Sequence, residues 1–117
     1  MATVLVVDDN EDVRQIAMLA LGRGGHKTLY ACNGLEGLMV YTSYRRNIDV
    51  VLTDIDMPQM NGIELATRIR ALDPARKILL MSGRHGGDVE GAQSYPFVPK
   101  PFLPDQLNAA VDALLST

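Results

Sequence analysis

Apolar residues along the chain fall into short continuous runs that alternate with stretches of helical spacing. Thr3–Val7 is rich in β-branched residues and stops abruptly at Asp8-Asp9-Asn10, the pattern of a strand buried on both faces. From Glu11 the period lengthens: Val13, Ile16, Ala17 and Ala20 share one helix face, and Gly22, Gly24 and Gly25 end the helix. Lys27–Ala31 predicts a second strand, with Asn33-Gly34 as the turn after it. A second helix is expected from residue 35 to about 46, with Leu35, Leu38, Met39 and Thr42 facing inward and Tyr41 and Tyr44 in its packing or rim. Residues 49–54 predict a third strand, the breaker-rich Met57-Pro58-Gln59-Met60-Asn61-Gly62 a loop, and 63–72 a third helix closed by Asp73-Pro74. Lys77–Ser82 and Phe97–Pro99 supply two more strands. The last helix begins at Pro104, a favoured first helical position, and buries Leu107, Ala110, Val111 and Leu114.

Strands that are apolar on both faces, alternating with helices, predict a parallel sheet covered on both sides, a doubly wound α/β fold. Right-handed crossovers place the carboxyl ends of the strands along one edge, where such sheets bind ligands. A length of 117 residues suits one domain over 1–117. A net charge of −3 gives no reason to expect a nucleic-acid partner, and the basic pair Arg45-Arg46 reads as a solvated helix end. No apolar run is long enough to span a membrane and no signal peptide is evident. The single cysteine, Cys32, excludes an internal disulfide and reads as a packing residue, so a cytoplasmic location is expected.

The residues with chemistry collect at strand ends. Asp8 and Asp9 end the first strand, Asp54 the third, Ser82 the fourth and Lys100 follows the fifth. The topology therefore brings three carboxylates, a hydroxyl and an ammonium into one crevice. Close carboxylates repel, and a divalent cation would hold them ionised; hard oxygen donors favour Mg²⁺. Lys100 would add a mobile point charge suited to a phosphate oxygen. Such a set meets the needs of phosphoryl transfer to a carboxylate, which asks mainly for positioning and charge neutralisation. Each element alone has a plainer role: Asp9 or Asn10 could simply cap the first helix. Their convergence on one edge is what points to chemistry.

With these residues placed, the chain resembles the receiver domain of bacterial two-component response regulators. The resemblance rests on residues 4–9 (VLVVDD), 50–62 (VVLTDIDMPQMNG), 78–83 (ILLMSG) and 100–102 (KPF), and covers nearly the whole chain. It implies a flavodoxin-like sheet of order 2-1-3-4-5, with Asp54 as phosphoacceptor. Asp9 and Asp54 would ligate Mg²⁺ directly, the Asp56 carbonyl would join them, and Asp8 would act through water. Ser82 would bond a phosphoryl oxygen, Lys100 would pair with another, and the Lys100–Pro101 bond would be cis. Phe97 would occupy the aromatic switch position, coupled to Ser82. Asp56 and Arg84 sit where receivers vary their dephosphorylation rate, and opposite charges there could hinder attacking water. The implied partner is a sensor histidine kinase or phosphotransfer protein. The domain would then be a signalling module that assists its own phosphorylation and dephosphorylation, rather than an enzyme.

The chain departs from that family between Ser82 and Lys100, where receivers carry a fourth helix. Gly83, Gly86, Gly87 and Gly91 fall in this shortened stretch, and each glycine inside a helix costs about 1 kcal/mol. The helix is expected to be absent or cut to a turn or two near 88–93, which alters the surface offered to partners. His85 reads as a solvated loop residue and His26 as a turn residue. Among competing functions, Val51-Leu52-Thr53-Asp54-Ile55-Asp56 mimics the nucleophile strand of haloacid-dehalogenase phosphatases, but here the acidic pair precedes the nucleophile and no cap insertion is present. A scaffold receiver that works without phosphorylation would not need Asp9, Ser82 and Lys100 together.

Overall fold

A computed structural model describes residues 2–83 and 90–117. Five parallel strands, β1 (Thr3–Val7), β2 (Lys27–Ala31), β3 (Val50–Asp54), β4 (Lys77–Ser82) and β5 (Phe97–Pro99), form one sheet in the order β2-β1-β3-β4-β5. Helices α1 (Glu11–Arg23), α2 (Gly34–Tyr44), α3 (Gly62–Leu72) and α4 (Pro104–Leu115) cover it. The fold is the doubly wound, flavodoxin-like one expected from the alternation of runs.

Side chains along a strand alternate between faces, so each central strand feeds two cores. Val4, Val6, Val50, Leu52, Leu79 and Met81 pack with Ala17 and Leu21 of α1 and Leu107 and Val111 of α4. Leu5, Val7, Val51, Ile78 and Leu80 pack on the opposite face with Tyr41 of α2 and Leu65 and Ile69 of α3. Val4, Leu5, Val6 and Val7 are all fully buried, each worth about 2 kcal/mol in apolar transfer. Two buried faces are therefore why β1 and β3 read as unbroken apolar runs.

Helix starts lie at the carboxyl edge of the sheet, and asparagines set three of them. Asn10 accepts from the Val13 amide at 3.1 Å and Asn33 from Glu36 at 2.8 Å. Asn61 and Glu64 form a reciprocal capping box. Their positive helix ends all face the edge that carries the carboxylates.

Four expectations are corrected. In α2 Leu38 packs against the core as expected, but the buried residues are Gly34, Gly37 and Tyr41, whereas Leu35 is 58% exposed, Met39 62%, and Thr42 is also exposed. The cause is Gly37, whose missing side chain lets the helix seat on Val7 and Leu65; a count of apolar residues passes over a glycine used for close approach. Ile16 likewise points outward, and Leu21 is buried in its stead. His26 is a buried post, with Nδ1 accepting from the Ala2 amide at 3.2 Å and Nε2 lying 3.1 Å from Asp112 Oδ1. Nor is Arg45 merely solvated. It forms two bonds to the Asp73 carboxylate at 2.8 Å, while Asp73 also accepts from the buried Tyr41 hydroxyl. Between β4 and β5, the described residues include one 3₁₀ turn, Ala92–Ser94, where receivers place their fourth helix; residues 84–89, which include His85, lie outside the described part of the chain.

Two backbone features test this account of the loop between β3 and α3. A Cβ on Gly62 would overlap the carbonyl oxygen of Asp54 and crowd Ile55 Cα. Gly62→Ala should cost about 2–4 kcal/mol in urea unfolding; a loss below about 0.5 kcal/mol would show that the loop can yield. Gln59 has φ +69°, in the left-handed region. Gln59→Gly should therefore raise stability by about 0.5–1 kcal/mol, and a decrease would contradict the strain.

Candidate functional site

The carboxyl ends of β1 and β3 are adjacent in the sheet, so Asp8, Asp9 and Asp54 meet at its edge. Their carboxylates offer oxygens that all lie within 4.8 Å of one another. Asp8 and Asp54 are buried while Asp9 is exposed, so the group lines a crevice open on one side. From the loop after β5, Lys100 Nζ reaches Asp8 Oδ2 at 3.2 Å and Asp54 Oδ1 at 3.1 Å. The Asn10 amide donates to Asp8 Oδ1 at 2.8 Å, fixing that carboxylate from the helix side.

Protonation reflects this crowding. Burial, then the negative charge of Asp8, pushes Asp54 up to about 6 from 3.8, against the hydrogen bond and charge of Lys100. Burial alone would lower the Lys100 ammonium; its hydrogen bond and attraction to Asp54, with help from Asp8, outweigh that and leave it raised. Three acids and one ammonium leave an excess of negative charge in the crevice. A hard divalent cation such as Mg²⁺ fits both the donor set and that charge.

Ser82 ends β4 next to β3, with its carbonyl accepting from the Lys100 amide at 2.7 Å. Its hydroxyl is buried and has no hydrogen-bond partner among the described residues. A buried hydroxyl in that condition is costly unless something further arrives to bond it. The Lys100–Pro101 bond is cis, as the family resemblance implied. Phe97 opens β5 opposite Leu80 and is 43% exposed. Asp56 lies exposed two residues past Asp54, where its charge adds slightly to the upward push on Asp54. Arg84, its expected opposite number, falls outside the described residues.

Sequence reading missed two groups that touch the site's frame. Thr53 Oγ1 donates to the Asp54 carbonyl at 3.0 Å, and Arg14 Nη1 to the Asp8 carbonyl at 3.0 Å. Both act on backbone, which no pattern of side-chain types reveals, although Arg14 one turn into a helix after an acidic pair is a position worth testing.

Comparison with known proteins agrees with this geometry. The family model for the response regulator receiver domain matches residues 4–112. The chain is 31% identical to the sensor kinase CckA of Brucella abortus over 97% of its own length, which is 12% of that kinase. It is 33% identical to a chemotaxis protein CheY homolog of Campylobacter jejuni, covering 97% of this chain and 92% of that one. Among solved structures it superposes on the response regulator TrrA of Thermotoga maritima, determined in complex with Mg²⁺ and BeF, with a TM-score of 0.89 and 33% identity. That alignment covers 97% of this chain and 99% of TrrA. No helix among the described residues is long and apolar enough to cross a membrane. With the acidic crevice, the sheet order and the family match in agreement, this chain belongs to the receiver domains of two-component response regulators.

Proposed function

We propose that this receiver takes a phosphoryl group onto Asp54, in a Mg²⁺-dependent step, from a phosphohistidine of a sensor histidine kinase or phosphotransfer protein. The observation that carries the reading is the convergence of Asp8, Asp9 and Asp54 under a shared Lys100. Asp9 and Asp54 would hold Mg²⁺ directly, with the Asp56 carbonyl beside them and Asp8 through water. When bound, Mg²⁺ would neutralise the carboxylates and draw charge from the phosphoryl oxygens.

Asp54 supplies the nucleophile. One of its carboxylate oxygens attacks phosphorus in line, the O–P bond forms as the P–N bond breaks, and the departing imidazole keeps the electron pair and takes a proton from solvent. Lys100 then turns from Asp54 toward a phosphoryl oxygen, so its charge is retained in the site. The unpartnered Ser82 hydroxyl donates to another phosphoryl oxygen. Movement of Ser82 frees space for the half-exposed Phe97 to turn inward, which alters the β4–β5 face. Asp56 sets part of the exposure of the acyl phosphate to water, with Arg84 as its proposed counterpart in tuning the phosphorylated lifetime. This face, lacking a regular helix at 92–94, is the one read by a protein partner.

Intact mass after treatment with acetyl phosphate and Mg²⁺ tests the assignment. Wild type should gain a single phosphoryl group, while Asp54→Asn and a chelator-treated sample should gain none; an adduct on Asp54→Asn would move the acceptor elsewhere. Continued turnover of a generic phosphate ester would favour a phosphatase instead. Acidity gives a second prediction. A protonated Asp54 is a poor nucleophile, so at limiting Mg²⁺ the phosphorylation rate should rise about tenfold as pH increases from about 5 to 7, through the value of about 6. Saturating Mg²⁺ should shift that rise to lower pH. A rate independent of pH over this interval at limiting Mg²⁺ would contradict the proposed protonation of Asp54.

A further inference from the structure

We propose that Arg14 is a positioning residue for the acidic pair, holding the peptide plane between Asp8 and Asp9 with a guanidinium that is stacked on Tyr30. The inference rests on the reading of Asp8, Asp9 and Asp54 as a Mg²⁺ site. Arg14 lies one turn into α1, where its Nη1 donates to the Asp8 carbonyl at 3.0 Å. Its Cζ sits 5.3 Å from the centroid of the Tyr30 ring, on the edge strand β2. That ring is 54% exposed, so its main service in the fold is to this stack rather than to either core. One side chain thus ties α1, the end of β1 and β2 together at the rim of the site.

Asp9 is the residue that needs this support. The Asp8 carboxylate is held from two sides, by the Asn10 amide and by Lys100, and Asp54 is also held by Lys100. The exposed Asp9 carboxylate makes no hydrogen bond or ion pair with any described residue, although it belongs to the acidic group. Its aim is therefore set by its backbone. The peptide unit is planar, so fixing the Asp8 carbonyl also fixes the Asp9 nitrogen and the direction in which its Cα leaves. Arg14 makes the one hydrogen bond to that carbonyl among the described residues. Stacking on Tyr30 orients the guanidinium in advance, which a lysine ammonium could not reproduce.

Two consequences of Arg14 oppose each other. Its positive charge repels a cation, whereas its hold on the backbone favours one. At an open rim the charge is screened and should alter affinity by less than about threefold. Loosening the groups that orient a metal ligand costs about tenfold or more. Positioning wins, and the sign of the effect distinguishes the two.

The test is a Mg²⁺ titration of the intact chain, followed by amide chemical shifts with no phosphoryl donor present. Wild type, Asp9→Asn, Arg14→Lys, Arg14→Met, Tyr30→Ala and Tyr30→Phe are compared, with thermal melts confirming that each is folded. Both Arg14 variants should bind about tenfold more weakly. Tyr30→Ala, which leaves Arg14 in place, should weaken binding about threefold, and Tyr30→Phe should match wild type. Equal or tighter binding by Arg14→Met would overturn the proposal, as would a Tyr30→Ala variant indistinguishable from wild type. If wild type itself shows no Mg²⁺-dependent shifts, or Asp9→Asn binds as wild type does, the site reading beneath the proposal fails instead.

Discussion

Lys100 bonds two carboxylates at once, Asp8 at 3.2 Å and Asp54 at 3.1 Å, and the rest of the molecule is arranged around that contact. Without it, buried acids from β1 and β3 would face each other uncompensated, and a buried unpaired charge is among the costliest features a fold can carry. With it, the repulsion is reduced but not removed, since three carboxylates face one ammonium. Burial first, and then the remaining charge of Asp8, leave Asp54 with a proton affinity raised to about 6. The crevice is thus held in a state that a divalent cation and a phosphoryl group would each relieve.

Such a charge arrangement can persist only on a rigid frame. β1 and β3 are buried on both faces, and their register is fixed by pairing from Val4 with Val50 to Val7 with Thr53. Gly62 brings the start of α3 against the Asp54 carbonyl, closer than any side chain would allow. Helix N-termini capped by Asn10, Asn33 and Asn61 present partial positive charge to the same edge. The Tyr41, Asp73, Arg45 and Arg76 network fastens α2 to the end of α3 and the loop before β4. Stability is built through the body of the sheet, while the left-handed Gln59 and the unpartnered Ser82 hydroxyl lie at its mouth.

Much of this was legible in the chain because the central strands β1, β3 and β4 are buried on both faces and leave continuous apolar runs. The runs at 3–7, 27–31, 77–82 and 97–99 coincide with β1, β2, β4 and β5, and the strand-end acids follow from them. Helix orientation was less legible. Leu35 and Met39 suggested an inward face for α2, yet Gly34 and Gly37 provide it through closeness rather than through hydrophobicity. His26 carried no local signal, since its partners Ala2 and Asp112 are distant in sequence. The same holds for Arg14 with Tyr30, and for the unpartnered Ser82 hydroxyl, whose condition depends on what surrounds it.

In the proposed role, Mg²⁺ would relieve an electrostatic burden that the fold carries at Asp54. A folded-state value raised from 3.8 to about 6 means that Asp54 stabilises the fold fully only below 3.8, and that this contribution is lost as pH rises through about 6. Thermal unfolding of wild type and Asp54→Asn at about pH 8, with chelator and then with ~10 mM Mg²⁺, tests it directly. The account predicts that Asp54→Asn melts a few °C above wild type in chelator, and that Mg²⁺ raises wild type more than the variant. A wild type more stable than Asp54→Asn in chelator, or an equal response of both to Mg²⁺, would contradict it.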